Sequence, residues 1–229
     1  MIELRDVSKT YELGKDNRVQ AVRNVSVTID PGDFAVITGR SGSGKTTLLN
    51  LAAGLTKPTT GQVKFDGVDV WQLPDAQQSA MRAHSIGFIF QFPSLLPALT
   101  ALENVTLPTT FRAPAESRAD EAAERAAELL KSVGLSDKLK SYPRQLSAGQ
   151  QQRVVIARAL INSPKALLAD EPTSNLDEQT EREIMDLFRD IHAQRQITIV
   201  MVTHTTQLLQ YGTRSIEMAT GQIVYGRSS

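Results

Sequence analysis

The chain has 229 residues, 41% hydrophobic and 22% charged, with 25 basic against 25 acidic side chains and no cysteine. That length buries one large core, or a core with a subdomain, and the profile is that of a soluble globular protein. A zero net charge argues against a broad basic field for nucleic acid, and the missing cysteines exclude disulfides, thiolate catalysis and cysteine-based metal sites.

The first residues lack a basic leader and an apolar stretch, so no signal peptide is expected. No apolar run approaches the roughly 20 residues that span a bilayer. Residues 25–29 alternate apolar and polar like a strand, and Asp30-Pro31-Gly32-Asp33 is a turn. Residues 34–38 form a continuous apolar run, suited to a strand buried on both faces. A glycine-rich loop follows, then a helix over 46–53. Residues 61–70 read as strand and turn, with Asp66-Gly67 as a hairpin signal. Residues 116–131 are rich in Ala, Glu and Arg, with Leu129 and Leu130 near the end, and favour helix. Residues 147–161 read as another helix, with Val154, Val155, Ala157 and Leu160 available for packing. A second buried strand runs over 166–169. Residues 178–193 place Ile184, Leu187, Phe188 and Ile191 at helical spacing, with Asp177 as N-cap. A third buried strand covers 197–203, and 215–225 read as a closing hairpin around Thr220-Gly221. Strand and helix alternate at both ends around a helical insert, which predicts a parallel-sheet α/β core with a helical subdomain near 92–154.

Gly39, Arg40, Ser41, Gly42, Ser43, Gly44, Lys45, Thr46 and Thr47 fit the pattern G-x-x-x-x-G-K-[ST] between a buried strand and a helix. Glycines let the backbone curl so that successive N–H groups face phosphate oxygens, and the helix N-terminus adds its positive dipole end. Lys45 supplies a charge for the β- and γ-phosphates, and the Thr46 hydroxyl can ligate Mg²⁺. The strand over 166–169 ends in Asp170 and Glu171, at the strand end where ligands of open parallel sheets gather. Asp170 can hold the Mg²⁺ shell, and Glu171 can accept a proton from an attacking water.

Leu146-Ser147-Ala148-Gly149-Gln150, followed by Gln151-Gln152-Arg153, completes a set that resembles an ATP-binding-cassette (ABC) ATPase over nearly the whole chain. The resemblance implies one ABC domain over residues 1–229, with ATP and Mg²⁺ as ligands. Its fold would be a P-loop NTPase (RecA-like) parallel-sheet core with an N-terminal antiparallel β subdomain, about 1–91 and 155–229, and an inserted α-helical subdomain, about 92–154. The family usually has a glycine where this chain has Ala148. Ser147 with Gln150 also makes a capping box, and a helix N-terminus is itself an anion site.

In the family that site serves the nucleotide of the opposite subunit, so Ser147 and Gly149 would meet the γ-phosphate, with Gln150 also at that nucleotide, across a head-to-tail dimer of two chains, expected to be identical. Gln91 resembles the glutamine that reaches Mg²⁺, or is a solvated residue at a strand end. Asp177 resembles the loop that crosses the interface, besides being a helix cap. His204, at the end of a strand, resembles the histidine on the γ-phosphate. Tyr11 resembles the aromatic that stacks on adenine, or packs inward as a strand residue.

The stretches 11–25, 91–97 and 99–105 resemble the lipoprotein-release and macrolide-export branch. That implies an integral membrane partner, no membrane span of its own, and a cytoplasmic place on the inner face of the membrane. Phe92, Leu95 and Leu96 are either contacts for that partner or core residues. After His204 the branch often has an acidic residue, where this chain has Thr205. A soluble ABC ATPase working on DNA or ribosomes is the alternative. The chain lacks the long coiled coils or second cassette of those relatives, and it has no basic surplus.

Overall fold

The computed structural model describes residues 1–12, 14, 18–111 and 119–228. In chain order, β1 (Ile2–Glu12), β2 (Arg18–Ile29), β3 (Phe34–Thr38), α1 (Lys45–Ala52), β4 (Thr60–Phe65) and β5 (Val68–Asp69) form the first third. There follow α2 (Asp75–Ser85), β6 (Ile86–Ile89), α3 (Ala101–Thr106), α4 (Ala119–Ser132) and α5 (Ala148–Leu160). The chain ends with β7 (Ala166–Asp170), α6 (Glu178–Arg195), β8 (Thr198–Thr203), β9 (Arg214–Ala219) and β10 (Gln222–Ser228).

Two sheets result. One is antiparallel, in the order β2-β1-β4-β5; the other has the order β10-β9-β3-β8-β7-β6. In the second, β9, β3, β8, β7 and β6 run parallel, and only β10 is antiparallel to its neighbour. Both hairpin signals operate: Asp66 and Gly67 take φ 49° and 83° between β4 and β5, and Thr220 and Gly221 take 47° and 81° between β9 and β10. The strand expected at 25–29 is the tail of the longer β2. The helix expected over 116–131 is α4, and its expected start at 116–118 lies outside the described residues. Among the described residues no helix is long and apolar enough to cross a membrane.

The central strands are apolar throughout because both faces are covered. Ala35, Ile37, Leu168, Val200 and Val202 face a cluster shared with Leu48, Leu49 and Leu51 of α1 and with Ile2, Val22 and Val63 of the antiparallel sheet. Their alternates Phe34, Val36, Leu167, Ala169, Ile199 and Met201 face α5 and α6 through Val154, Val155, Ile184 and Phe188. Phe34 and Phe188 are fully buried, each stabilising the fold by about 1.5–3 kcal/mol. Helix α1 is thus clamped between the two sheets, which fixes the loop that precedes it.

Candidate active site

Register aligns the carboxyl ends of the parallel strands. Thr38 pairs with Thr203, Asp170 with Val202, and Ile89 with Ala169. The segments that follow these strands therefore emerge side by side, carrying the glycine loop, Glu171, His204 and Gln91.

The glycine loop needs its glycines for two separate reasons. Gly39, Gly42 and Gly44 take φ of 154°, 77° and 98°, a region that side chains disfavour. At two of them space is also missing: a Cβ on Gly39 would stand 2.3 Å from the Met218 carbonyl oxygen, and one on Gly44 2.2 Å from that of Ala21. Behind the loop, the Gly221 N–H donates to the Ser43 carbonyl at 3.0 Å, and the Arg23 N–H donates to the Gly221 carbonyl at 2.7 Å. Lys45 is buried, and its Nζ donates to the Gly39 and Arg40 carbonyls at 2.8 and 3.2 Å. The Ser43 hydroxyl is buried without a partner among the described residues. A curled backbone, an orphaned hydroxyl, an ammonium and the N-terminus of α1 together fit a polyphosphate.

A cavity of about 780 Å³ opens over this loop. Of the expected residues, Tyr11, Ser41, Gly42, Ser43, Gly44, Lys45, Thr46, Thr47, Gln91 and Glu171 line it. Gly39 and Arg40 form the loop's floor through their carbonyls on Lys45. Ser147, Gly149, Gln150, Asp170, Asp177 and His204 do not line it. Sequence reasoning missed Arg18, Gln20, Arg23 and the Thr220-Gly221 turn, which do. The turn was visible as a hairpin signal, but its apposition to the loop depends on β9 pairing with β3. Beside the cavity, the Lys9 ammonium lies 5.1 Å from the Tyr11 ring centroid.

The two acids differ in environment. Burial pushes the Asp170 carboxyl up from its ordinary pKa; the Thr46 hydroxyl opposes this, the Glu171 charge adds to it, and Lys45 opposes it. Thr46 Oγ1 donates to Asp170 Oδ1 at 3.0 Å. These two oxygens could share a hard cation that takes its other ligands from phosphate and water. Among the described residues there is no group of three or more His, Cys, Asp or Glu side chains able to hold a metal ion. Glu171 has φ 44°, a strained position for a non-glycine residue that costs on the order of 1–3 kcal/mol. Its N–H donates to the Val202 carbonyl at 2.9 Å. Its carboxylate oxygens lie 4.0 Å from Lys45 Nζ and 3.1 Å from His204 Nδ1.

At the N-terminus of α5 the capping box is formed. The Ser147 N–H donates to Gln150 Oε1 at 3.0 Å, and the Gln150 N–H to Ser147 Oγ at 3.2 Å. Ser147 and Ala148 are exposed and Gly149 is buried, so the extra methyl of Ala148 is on the outside. Asp177 caps α6, accepting from the Thr180 N–H at 3.0 Å and from its hydroxyl at 2.6 Å. These bonds, the hydroxyl's first, hold the Asp177 carboxyl below its ordinary pKa.

A second, more apolar groove of about 870 Å³ is lined by Leu55, Ile86, Phe88, Phe90, Pro108 and Phe111 among others. Phe90 is 46% and Phe111 76% exposed. None of the three expected contact residues lines it: Phe92 and Leu96 are exposed elsewhere, and Leu95 packs against the core. Asn104 turns the 96–100 segment away by bonding Leu96 and Leu99, and Arg158 ties down the carbonyls of Pro93 and Ser94.

The ABC transporter family pattern matches residues 22–174. A lipoprotein-releasing system ATP-binding protein LolD from Geobacter metallireducens is 44% identical over 98% of each chain. A macrolide export ATP-binding/permease protein MacB from Syntrophobacter fumaroxidans is 45% identical over 97% of this chain, which spans only 31% of that protein. Among solved structures, the ATP-binding cassette MJ0796 as a dimer in a post-hydrolysis state with ADP and Pi superimposes with a TM-score of 0.91 at 41% identity, over 100% of this chain and 98% of that one. The chain belongs to the ABC transporter family, and it is an ATP-binding ATPase subunit.

Proposed function

We propose that this ABC transporter ATPase hydrolyses Mg-ATP in a head-to-tail dimer of identical chains on the cytoplasmic face of a membrane, driving an export or mechanotransmission partner. The observation that carries the catalytic reading is the place of Glu171. Its carboxylate lies between the phosphate-loop lysine and a histidine, at the end of a strand two places from β3 in the sheet.

ATP fits the cavity with its phosphates on the glycine loop and its base toward Tyr11. Glu171 takes a proton from a water as that water attacks the γ-phosphorus. The bond to the β-phosphate oxygen breaks, leaving ADP and phosphate. His204 orients the Glu171 carboxylate and donates toward the γ-phosphate. Lys45 leaves its loop carbonyls for the phosphates and offsets their charge. Mg²⁺, held by Thr46, Asp170 and Gln91 with phosphate oxygens and water, would neutralise the charge developing in the transition state.

The glycine loop is one half of the site. Ser147, Gly149 and Gln150 supply the other half to the partner chain's nucleotide, with Asp177 crossing beside them. The exposure of Ser147 at the N-terminus of α5 supports this division. The dimeric cassette noted above does too. Residues of about 92–154 are read as the helical subdomain that carries this half, with α5 continuing into the core of about 1–91 and 155–229. The apolar groove with Phe90 and Phe111 is the docking surface for the membrane partner, in place of Phe92, Leu95 and Leu96.

Lys45→Ala tests the nucleotide reading. It is expected to raise the Kd for ATP about 10- to 100-fold by calorimetry, through loss of a charge-assisted contact. A variant that binds as tightly as the parent would remove Lys45 from the site.

A further inference from the structure

Gly149 and Asp177 belong to different helix termini, and one side chain joins them. The first turn of α5 lies so close to the start of α6 that a Cβ on Gly149 would stand 2.5 Å from Cγ2 of Thr180. The Thr180 Cβ and Oγ1 would be 3.9 and 4.0 Å away, so the methyl alone is in the way. Rotation of χ1 would relieve the clash, but it would also pull the Thr180 hydroxyl off Asp177 Oδ2, which it meets at 2.6 Å. Threonine is stiff at χ1, and here both branches are engaged. Gly149 lies within helical α5 and is absent from the positive-φ glycines, so backbone conformation does not demand glycine there.

We propose that Thr180 is a positioning residue that locks Asp177 to the first turn of α5 in the same chain. Its methyl fills the space Gly149 leaves, and its hydroxyl aims the Asp177 carboxylate. This rests on the dimer reading above, in which Ser147 and Asp177 both face the partner chain. The two then move as one piece. A shift of α5 at the partner's nucleotide carries Asp177 with it, so neither engages the interface alone.

The test uses the Glu171→Gln chain in Mg-ATP, with dimerisation followed by analytical ultracentrifugation. Gly149→Ala is expected to raise the dimer dissociation constant about tenfold or more, as overpacking does. Adding Thr180→Ser, which removes the methyl and keeps the hydroxyl, restores most of the loss. Thr180→Val keeps the methyl and loses the hydroxyl. It weakens the dimer about fivefold, with the monomer's ATP affinity and thermal midpoint at the parent's level. Gly149→Ala left unrescued by Thr180→Ser overturns the proposal, because the glycine would then serve only the partner's phosphate. Thr180→Val dimerising like the parent overturns it too, and decides the matter if Gly149→Ala does not fold. A Glu171→Gln parent that stays monomeric sinks the dimer reading and this proposal with it.

Discussion

His204 Nδ1 stands 3.1 Å from Oε2 of Glu171, on the segment after β8, while Glu171 follows the neighbouring strand β7. The pair exists because parallel register brings those two strand ends level. A carboxylate placed so can take a proton from water while the imidazole holds its direction.

Glu171→Gln keeps the shape and the hydrogen-bond acceptor but gives up the base. It is expected to bind ATP and to lower kcat by about 10²- to 10⁴-fold, with an ATP-bound dimer accumulating. Phosphate release with gel filtration reads both effects. Normal turnover would take Glu171 out of that role.

Ser147→Arg puts bulk and positive charge on an exposed helix N-terminus outside the chain's own cavity. Monomer affinity for ATP should hold, while ATP-driven dimerisation is lost by about 100-fold or more. Sedimentation of the variant in Mg-ATP at undiminished dimer affinity would contradict a role across the interface.

The three central strands, α5 and α6 were legible in the sequence because apolar runs and N-caps are local signals. Asp177 and the Ser147–Gln150 box cap the helices they were expected to cap. Helix α2 was not legible: Gln78 is its one buried residue, so no apolar stripe marks it. The loop of the nucleotide site could be read directly, since its glycines answer to local backbone needs. Arg18, Arg23 and the Thr220-Gly221 turn could not, because strand pairing alone brings them to the loop. The groove with Phe90 and Phe111 escaped the sequence reading for a related reason. Phe90 and Phe111 are far apart in sequence, and only the packing of β6 and the α3 region joins them.

Phe111→Asp places a charge in the groove at a residue already 76% exposed, so folding has little to lose. Pull-down of the membrane partner from native membranes should weaken by about 30-fold, the scale of an aromatic hot spot. ATP affinity and the circular dichroism spectrum should match the parent's. Full recovery of the partner would move the docking surface elsewhere.

Asp66 accepts from Lys165 Nζ at 2.6 Å, and that bond leads the causes that hold its carboxyl below the usual pKa. A depressed folded pKa stabilises the native state above the unfolded pKa, and the effect fades as pH falls through the folded value. Asp66→Asn should therefore cost stability near neutral pH, and the difference should vanish in strong acid. With the carboxylate 39% and the ammonium 67% exposed, the cost is at most about 1 kcal/mol. Urea midpoints at the two pH values check it; a gap that widens in acid would reverse the sign.

The Gly221 N–H on the Ser43 carbonyl ties the β9–β10 turn to a loop made about 180 residues earlier. During synthesis the glycine loop leaves the ribosome long before the hairpin that backs it. A nascent chain therefore lacks a finished purchase for nucleotide until β9 and β10 emerge. Truncation within β9–β10 would strike ATP capture first, although no residue removed carries the chemistry.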